Sequence, residues 1–403
     1  MTTTINNEHK KLNVPNLRFP EFLGEWEKQK LCDVSSIVGR IGFRGYTTND
    51  IVEKGMGAIA LSPTNIVNNQ LTYDKENTYI SMSKYEESPE IMIKRGDVIF
   101  VKTGSTVGKV AYVDKMICKT TLNPQVVVLK DIKCDNYILS VIMSTRNFQN
   151  KIQRITVGGA VPTLSQVAMG NIFISLPAAK EQEKISKFIS LLDERITTQN
   201  KIIEDLKKLK CAIIEKLYAE VKGTKYFYRQ LFNIINERNK QLEYSNVLSA
   251  SQEKGMVSRD DLNLDIQFER SNINTYKIVR NGDYVIHLRS FQGGFAFSEK
   301  TGVCSPAYTI LRPNGLLVYG YLSNYFTSRD FVKSLIIVTY GIRDGRSINV
   351  DEWLNMKVII PSKEQQTHIV NVIESIENKI KNEETYLNCL TNQKQYLLRQ
   401  MFI

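Results

Sequence analysis

The strongest pattern along the chain is a stripe of apolar positions that steps by four and three. Ile185, Ile189, Leu192, Ile196, Ile203, Leu206, Ile213 and Leu217 form it once. Ile369, Ile373, Ile376, Ile380, Leu387, Leu390, Leu397 and Met401 form it again, each 184 positions later and with no gap needed. A stripe of this period is one edge of an α-helix. It predicts two long helices, over 179–220 and 362–403. Each carries about 38–40 patterned residues, or roughly 58 Å at 1.5 Å per residue. Gln199 and Lys210 interrupt the first stripe; Glu383 and Lys394 interrupt the second at the same offset. A lone helix with an exposed apolar edge is unstable or sticky, whereas two with the same edge can bury each other. Mutual packing is the expectation, and an antiparallel pair would place the preceding domains at opposite ends. The alternative is that each helix packs on its own domain.

The stretches before the helices repeat more loosely. "IKRGDVIFVKTGSTVGKVAYVDK" (93–115) matches "IVRNGDYVIHLRSFQGGFAFSEK" (278–300). Each has a Gly-Asp turn, an apolar run, a glycine-bearing turn and a second strand pattern. Asp97 and Asp283 are expected to cap those Gly-Asp turns. Next come proline-led strand patterns at 122–130 and 304–312, then amphipathic helix patterns at 136–152 and 319–335. The predicted plan is a polar tail (1–13), a globular domain (14–178), a long helix (179–220), a linker (221–225), a second globular domain (226–361) and a final long helix (362–403). Short strands and helices mix without βαβ alternation, so the fold class is α+β.

Composition narrows the class. The chain has 403 residues, 42% hydrophobic and 24% charged, as in a folded protein of more than one domain. No apolar run approaches the roughly 18 residues of a membrane span. The opening "MTTTINNEHK" lacks the apolar core of a secretory signal, so cytoplasm is the expected compartment and no membrane partner is expected. The six cysteines, Cys32, Cys118, Cys134, Cys211, Cys304 and Cys389, are scattered and form no C-x-x-C pair. His9, His287 and His368 are the only histidines. No metal site is expected from these residues. A formal charge of +11 favours a polyanionic partner.

"VKTGSTVGKV" (101–110) invites comparison with a phosphate-binding loop. Gly104 and Gly108 are separated by three residues, not the four of a Walker A loop. Lys109 is followed by Val110 where a hydroxyl would hold magnesium, and the second copy, "LRSFQGGFAF", has no lysine. Nucleic acid fits better. Glycines let backbone approach phosphate, arginine or lysine reads guanine, and asparagine or glutamine reads adenine. The first domain offers Lys102, Thr103, Gly104, Ser105, Thr106 and Lys109 at this turn, with Gly158 and Gly159 on a further loop. "GRIGFRGYT" adds Arg40, Arg44 and Tyr46. The second domain offers Arg289, Ser290, Phe291 and Gln292, with Arg343, Arg346 and Ser347 on its further loop. Any one of these could be an ordinary solvated turn residue. Their recurrence at matching places, with different side chains, suits two readers of two different sequences. No catalytic residue is expected. "NPQV" (123–126) fails the [DN]-P-P-[YF] tetrad of an adenine methyltransferase, and no glycine-rich AdoMet loop opens the chain. The paired acids Asp260–Asp261 and Glu383–Glu384 lie in polar or helical contexts.

With these pieces together, the chain resembles the specificity subunit of a type I restriction–modification enzyme over nearly its whole length. The resemblance rests on "LPAAKEQEKISKFISLLDERI" and "IPSKEQQTHIVNVIESIENKI", the "GD" strand starts, "GSTVGK", "RSFQGG", "SPAYTILR" and the opening "VPNLRFPEFLGEWEKQKLCDV". It implies that each globular domain is a target recognition domain for one half of a split, asymmetric double-stranded DNA sequence. It implies that the helices form an antiparallel coiled coil, set the gap between half-sites and dock two modification subunits. AdoMet, on those subunits, would methylate adenine; restriction subunits would use ATP and Mg to translocate and cleave. This chain would then carry specificity, no chemistry and no cofactor of its own. The competing reading is a non-catalytic coiled-coil scaffold with general nucleic-acid binding.

Overall fold

The computed structural model describes residues 13–73, 76–251, 254–259, 270–287, 294–340 and 347–403. Two compact units emerge: one from the residues up to Thr198 with Leu387–Ile403, the other from Gln199–Tyr386. Each combines a globular body with portions of both long helices. The class is α+β.

The first unit is built on a six-stranded sheet. Its order begins Ser36–Gly39, Val126–Lys130, Val98–Val101, Val110–Tyr112 and ends with two short strands. All four residues of Val98–Val101 are buried. Their alternation explains how. Val98 and Phe100, with Val127 and Leu129, face a core shared with the helices Asn136–Ser144 and Arg146–Ile155. Ile99 and Val101, with Val126 and Val128, face a second core shared with Ile59, Leu61 and Leu122 of a four-stranded sheet. A strand covered on both faces reads as a continuous apolar run, as "VIFV" does. An antiparallel ladder, Glu27–Lys30 with Phe173–Leu176, leads into the first long helix.

The second unit repeats the plan. Its four-stranded sheet runs Phe232–Ile235, Thr309–Pro313, Tyr284–Ile286, Phe295–Phe297, the same order as the first four strands of the larger sheet. A ladder of Thr224–Phe227 with Lys357–Ile360 again leads into a long helix. The core is more aromatic: Tyr228 stacks on Trp353 at 4.2 Å, and Phe326 lies 4.7 Å from both Phe295 and Phe331.

The Gly-Asp turns do the work expected of them. Gly96 and Gly282 have φ of +95° and +93°, conformations that favour glycine. The Asp97 carboxylate accepts from the Lys94 N–H at 2.8 Å, and Asp283 accepts from the Arg280 N–H at 2.9 Å. Asp283 is buried and held by both arms of Arg312, each at 2.9 Å. Burial pushes the Asp97 carboxyl above its ordinary range.

The long helices, Ala179–Ala219 and Lys363–Met401, run antiparallel. In the first unit Ile185 and Ile189 share a core with Leu397 and Met401, with Leu192 packed beside it. In the second, Ile369 and Ile373 share a core with Ile214, and Leu217 packs against it. Every seam residue is buried or half-buried: Ile196, Leu206, Ile213, Ile376 and Leu387 are half-buried, and Ile203, Ile380 and Leu390 are buried. The interruptions are contacts of their own. Gln199 donates to the Glu383 carboxylate at 2.5 Å and to its carbonyl at 3.2 Å. Lys210 pairs with Glu377 at 2.5 Å, and Lys394 pairs with Asp193. Those two ion pairs are the same pair in repeat positions, made once in each unit. Ile214, next to the seam, was missed by the strict four–three spacing; the end of the helix turns it into the second unit's core.

Candidate nucleic-acid interface

The turn at 102–109 joins two sheet strands and is braced from three sides. Its neck closes through Gly108 N–H to the Val101 carbonyl at 3.0 Å and Val101 N–H to the Lys109 carbonyl at 2.9 Å. Lys102 and Thr103 donate their backbone N–H to the Gln125 carbonyl, at 2.9 and 3.3 Å. The further loop supplies the third brace. Gly104 N–H donates to the Pro162 carbonyl at 2.9 Å, and Leu164 N–H to the Lys102 carbonyl at 2.8 Å. Thr103 and Thr163 form a bridge. The two segments that the sequence offered separately, 102–109 and 158–163, are therefore one surface.

The glycines shape this turn differently from the sequence reading. Gly104 and Gly108 have φ of +103° and +99°. A Cβ on Gly108 would collide with Gln149, whose amide donates to the Gly108 carbonyl at 2.8 Å and the Met143 carbonyl at 2.6 Å. Both glycine N–H groups are spent inside the fold, so neither is open to a phosphate. Side chains are what the turn offers. Ser105 and Lys109 are exposed, and Lys102, Thr103 and Thr106 are half-buried. Lys109 Nζ also reaches the Ile66 carbonyl at 3.3 Å. Gly158, with φ of +97°, and Gly159 are exposed on the bracing loop. The structure adds two amides that sequence reasoning overlooked, Asn123 and Gln125. They are half-buried beside the turn, with Asn123 Nδ2 donating to Gln125 Oε1 at 3.4 Å. Their signal was "NPQ", set aside once it failed as a methyltransferase motif.

Arg40 has a different role from that expected. It is buried, and its guanidinium donates to the Leu122 carbonyl at 2.9 Å, the Arg44 carbonyl at 3.1 Å and Thr121 Oγ1 at 3.1 Å. Its Cζ lies 5.4 Å from the centre of the Tyr46 ring. Burial lowers its pKa and raises that of the Tyr46 phenol. Arg44 donates to the Glu87 carbonyl at 3.1 Å and lies 3.6 Å from Glu90. These three residues fasten the 39–47 loop, and Arg40 spends three of its five N–H donors inside the fold, where it is only 6% exposed.

In the second unit the equivalent hairpin is set by Tyr284–Ile286 and Phe295–Phe297, with His287 N–H donating to the Gly294 carbonyl at 2.9 Å. Arg289, Ser290, Phe291, Gln292, Arg343 and Arg346 lie outside the described residues. The Ser347 backbone pairs with Tyr340 in a short ladder. Among the described residues no group of three or more His, Cys, Asp or Glu could hold a metal ion, and no helix is long and apolar enough to cross a membrane.

The class so defined is a two-unit α+β protein on antiparallel helices, each unit built on the same order of sheet strands. Residues 24–208, somewhat under half of the chain, match the family described as the type I restriction modification DNA specificity domain. The chain is 29% identical over 131 residues to the type I restriction enzyme MjaVIII specificity subunit of Methanocaldococcus jannaschii. That match spans 32% of this chain and 30% of the relative, so the chain covers about a third of that relative's length. The fold matches the type I restriction–modification S subunit from M. genitalium with a TM-score of 0.52 at 13% identity, over 97% of this chain and 99% of the other. A chain from a structure of type I R-M complex assembly and conformational transition matches with a TM-score of 0.58 at 16% identity, over 94% and 97%.

Proposed function

We propose that this chain is the DNA-reading subunit of a type I restriction–modification complex. Residues 14–178 and 226–361 are its two target recognition domains, and each reads one half of a split, asymmetric sequence. The observation that carries this reading is the shared strand order of the two units, with different sequences between the matching strand pairs. Lys102, Ser105, Thr106 and Lys109 suit phosphate and base contacts in the first unit, with Asn123 and Gln125 as adenine-reading amides. The antiparallel helices set the unread gap and dock two modification subunits. The chain performs no catalytic step. AdoMet, ATP and Mg belong to the partner modification and restriction subunits, and the complex works in the cytoplasm.

The test is to map methylated adenines in DNA from cells carrying this chain and its modification subunit. The expected result is two short sequence blocks separated by a constant unread gap. Truncation at about residue 222 should abolish one block. Methylation or binding without a preferred sequence would replace this reading with the general scaffold.

A further inference from the structure

The two units differ where the ladder meets the long helix. In the first, Trp26 precedes the strand Glu27–Lys30. Its ring is 3% exposed and packs edge-on against Phe402, 6.0 Å between centres. Ile138 and Ile142 belong to the same core. In the second, the ladder position of Trp26 is held by Gly223, because Glu27 opposes Leu176 just as Thr224 opposes Ile360. A Cβ on Gly223 would collide with the Ile360 carbonyl, so this position sends no side chain inward. Tyr218 stands in the repeat position of Phe402, and Tyr321 and Tyr325 stand in those of Ile138 and Ile142. Where the first unit holds an indole, the second has a cavity of about 360 Å³ lined by these three tyrosines with Leu322 and Val358.

The lining says what would fill it. Tyr321 is fully buried, and its carbonyl accepts from the Tyr218 hydroxyl, which fixes the aromatic wall. Lys225 and Lys357 also line the cavity and are exposed, and neither has an ion-pair partner among the described residues. Lys357 Nζ sits 4.9 Å from the centre of the Phe227 ring. Phe227 and Ile359 continue the apolar surface outward at 37% and 38% exposure. An aromatic interior with two lysines complements a ring flanked by carboxylates.

We infer that this cavity docks an aromatic side chain of indole size, carried on an acidic segment of a partner polypeptide. The ring takes the place that Trp26 fills in the first unit. Carboxylates beside it meet Lys225 and Lys357. This inference stands apart from the DNA reading.

The experiment titrates the full chain with a labelled Asp-Glu-Trp-Glu-Asp peptide and with its alanine counterpart, followed by fluorescence anisotropy. The tryptophan peptide should bind at least tenfold more tightly than the alanine peptide. Joint Lys225→Glu and Lys357→Glu should weaken it at least tenfold; both side chains are exposed, so the fold is retained. Ala219→Trp, which fills the cavity from its lining, should abolish binding with an unchanged melting temperature. Absence of binding, equal binding of the two peptides, or indifference to the lysine pair would each overturn the inference. If Ala219→Trp unfolds the chain, the peptide pair and the lysine pair still decide.

Discussion

Lys102 and Lys109 frame a turn whose shape other residues set. Under the proposed reading each removes one phosphate contact when changed to Ala. Affinity should fall about equally for all sequences, and the slope of log K against log salt should shrink by about 1 per lysine. DNA titrations at several salt concentrations measure both. Arg40→Ala belongs to another category. It strands three acceptors and removes a buried cation, so stability should fall by about 3 kcal/mol in urea unfolding. Lost DNA binding with unchanged stability would return Arg40 to the contact surface. Sequence could not tell these arginines apart, because the partners of Arg40 lie 82 and 81 residues away. The thiols offer a pH test. Burial raises the Cys134 thiol to about 11 and the Cys304 thiol to about 12. Thiolate is the reactive form, so at pH 8 both should react slowly and speed up as pH rises toward those values. The exposed Cys32, Cys211 and Cys389 should react first in an Ellman assay of the native chain.

At the scale of elements, the long helices were legible because a heptad stripe reports its own geometry. What remained hidden was the meaning of its gaps. Lys210–Glu377 and Lys394–Asp193 fix which turn faces which, since polar groups on a coiled-coil seam specify register at some cost in stability. A slip of one heptad would set Gln199 against Ile376 or Leu390 in place of Glu383. A double-mutant cycle on Lys210→Glu and Glu377→Lys should show a coupling of about 0.5 kcal/mol, discounted because the side chains are 26% and 42% exposed. Zero coupling would remove this pair from the register. The hairpin turn was legible in outline, through glycine spacing and a failed Walker pattern. Its bracing was not, because Pro162 and Gln125 meet it only after folding.

For the whole molecule, the repeat was visible in the sequence as an ungapped offset, and the structure expresses it as one strand order used twice. The copies also differ at single positions such as Trp26 against Gly223, which no periodicity reveals. If the helices set the gap, inserting one heptad after Ile203 and another after Asn382, which keeps Gln199 beside Glu383, adds about 10 Å of helix. The unread gap should then widen by about 3 base pairs while both half-sites stay the same, as read by adenine methylation mapping. Changed half-sites with an unchanged gap would refute the ruler.

Gln199 and Glu383 occupy the same position in the two repeats, yet they touch each other. A position that meets its own copy obeys a rule of its own: its residue type must tolerate itself unless the copies diverge. Two first repeats paired together would set amide against amide, which is permissible. Two second repeats would set carboxylate against carboxylate. The amide–carboxylate contact is therefore available to unlike copies alone, and it rewards keeping both halves on a single polypeptide.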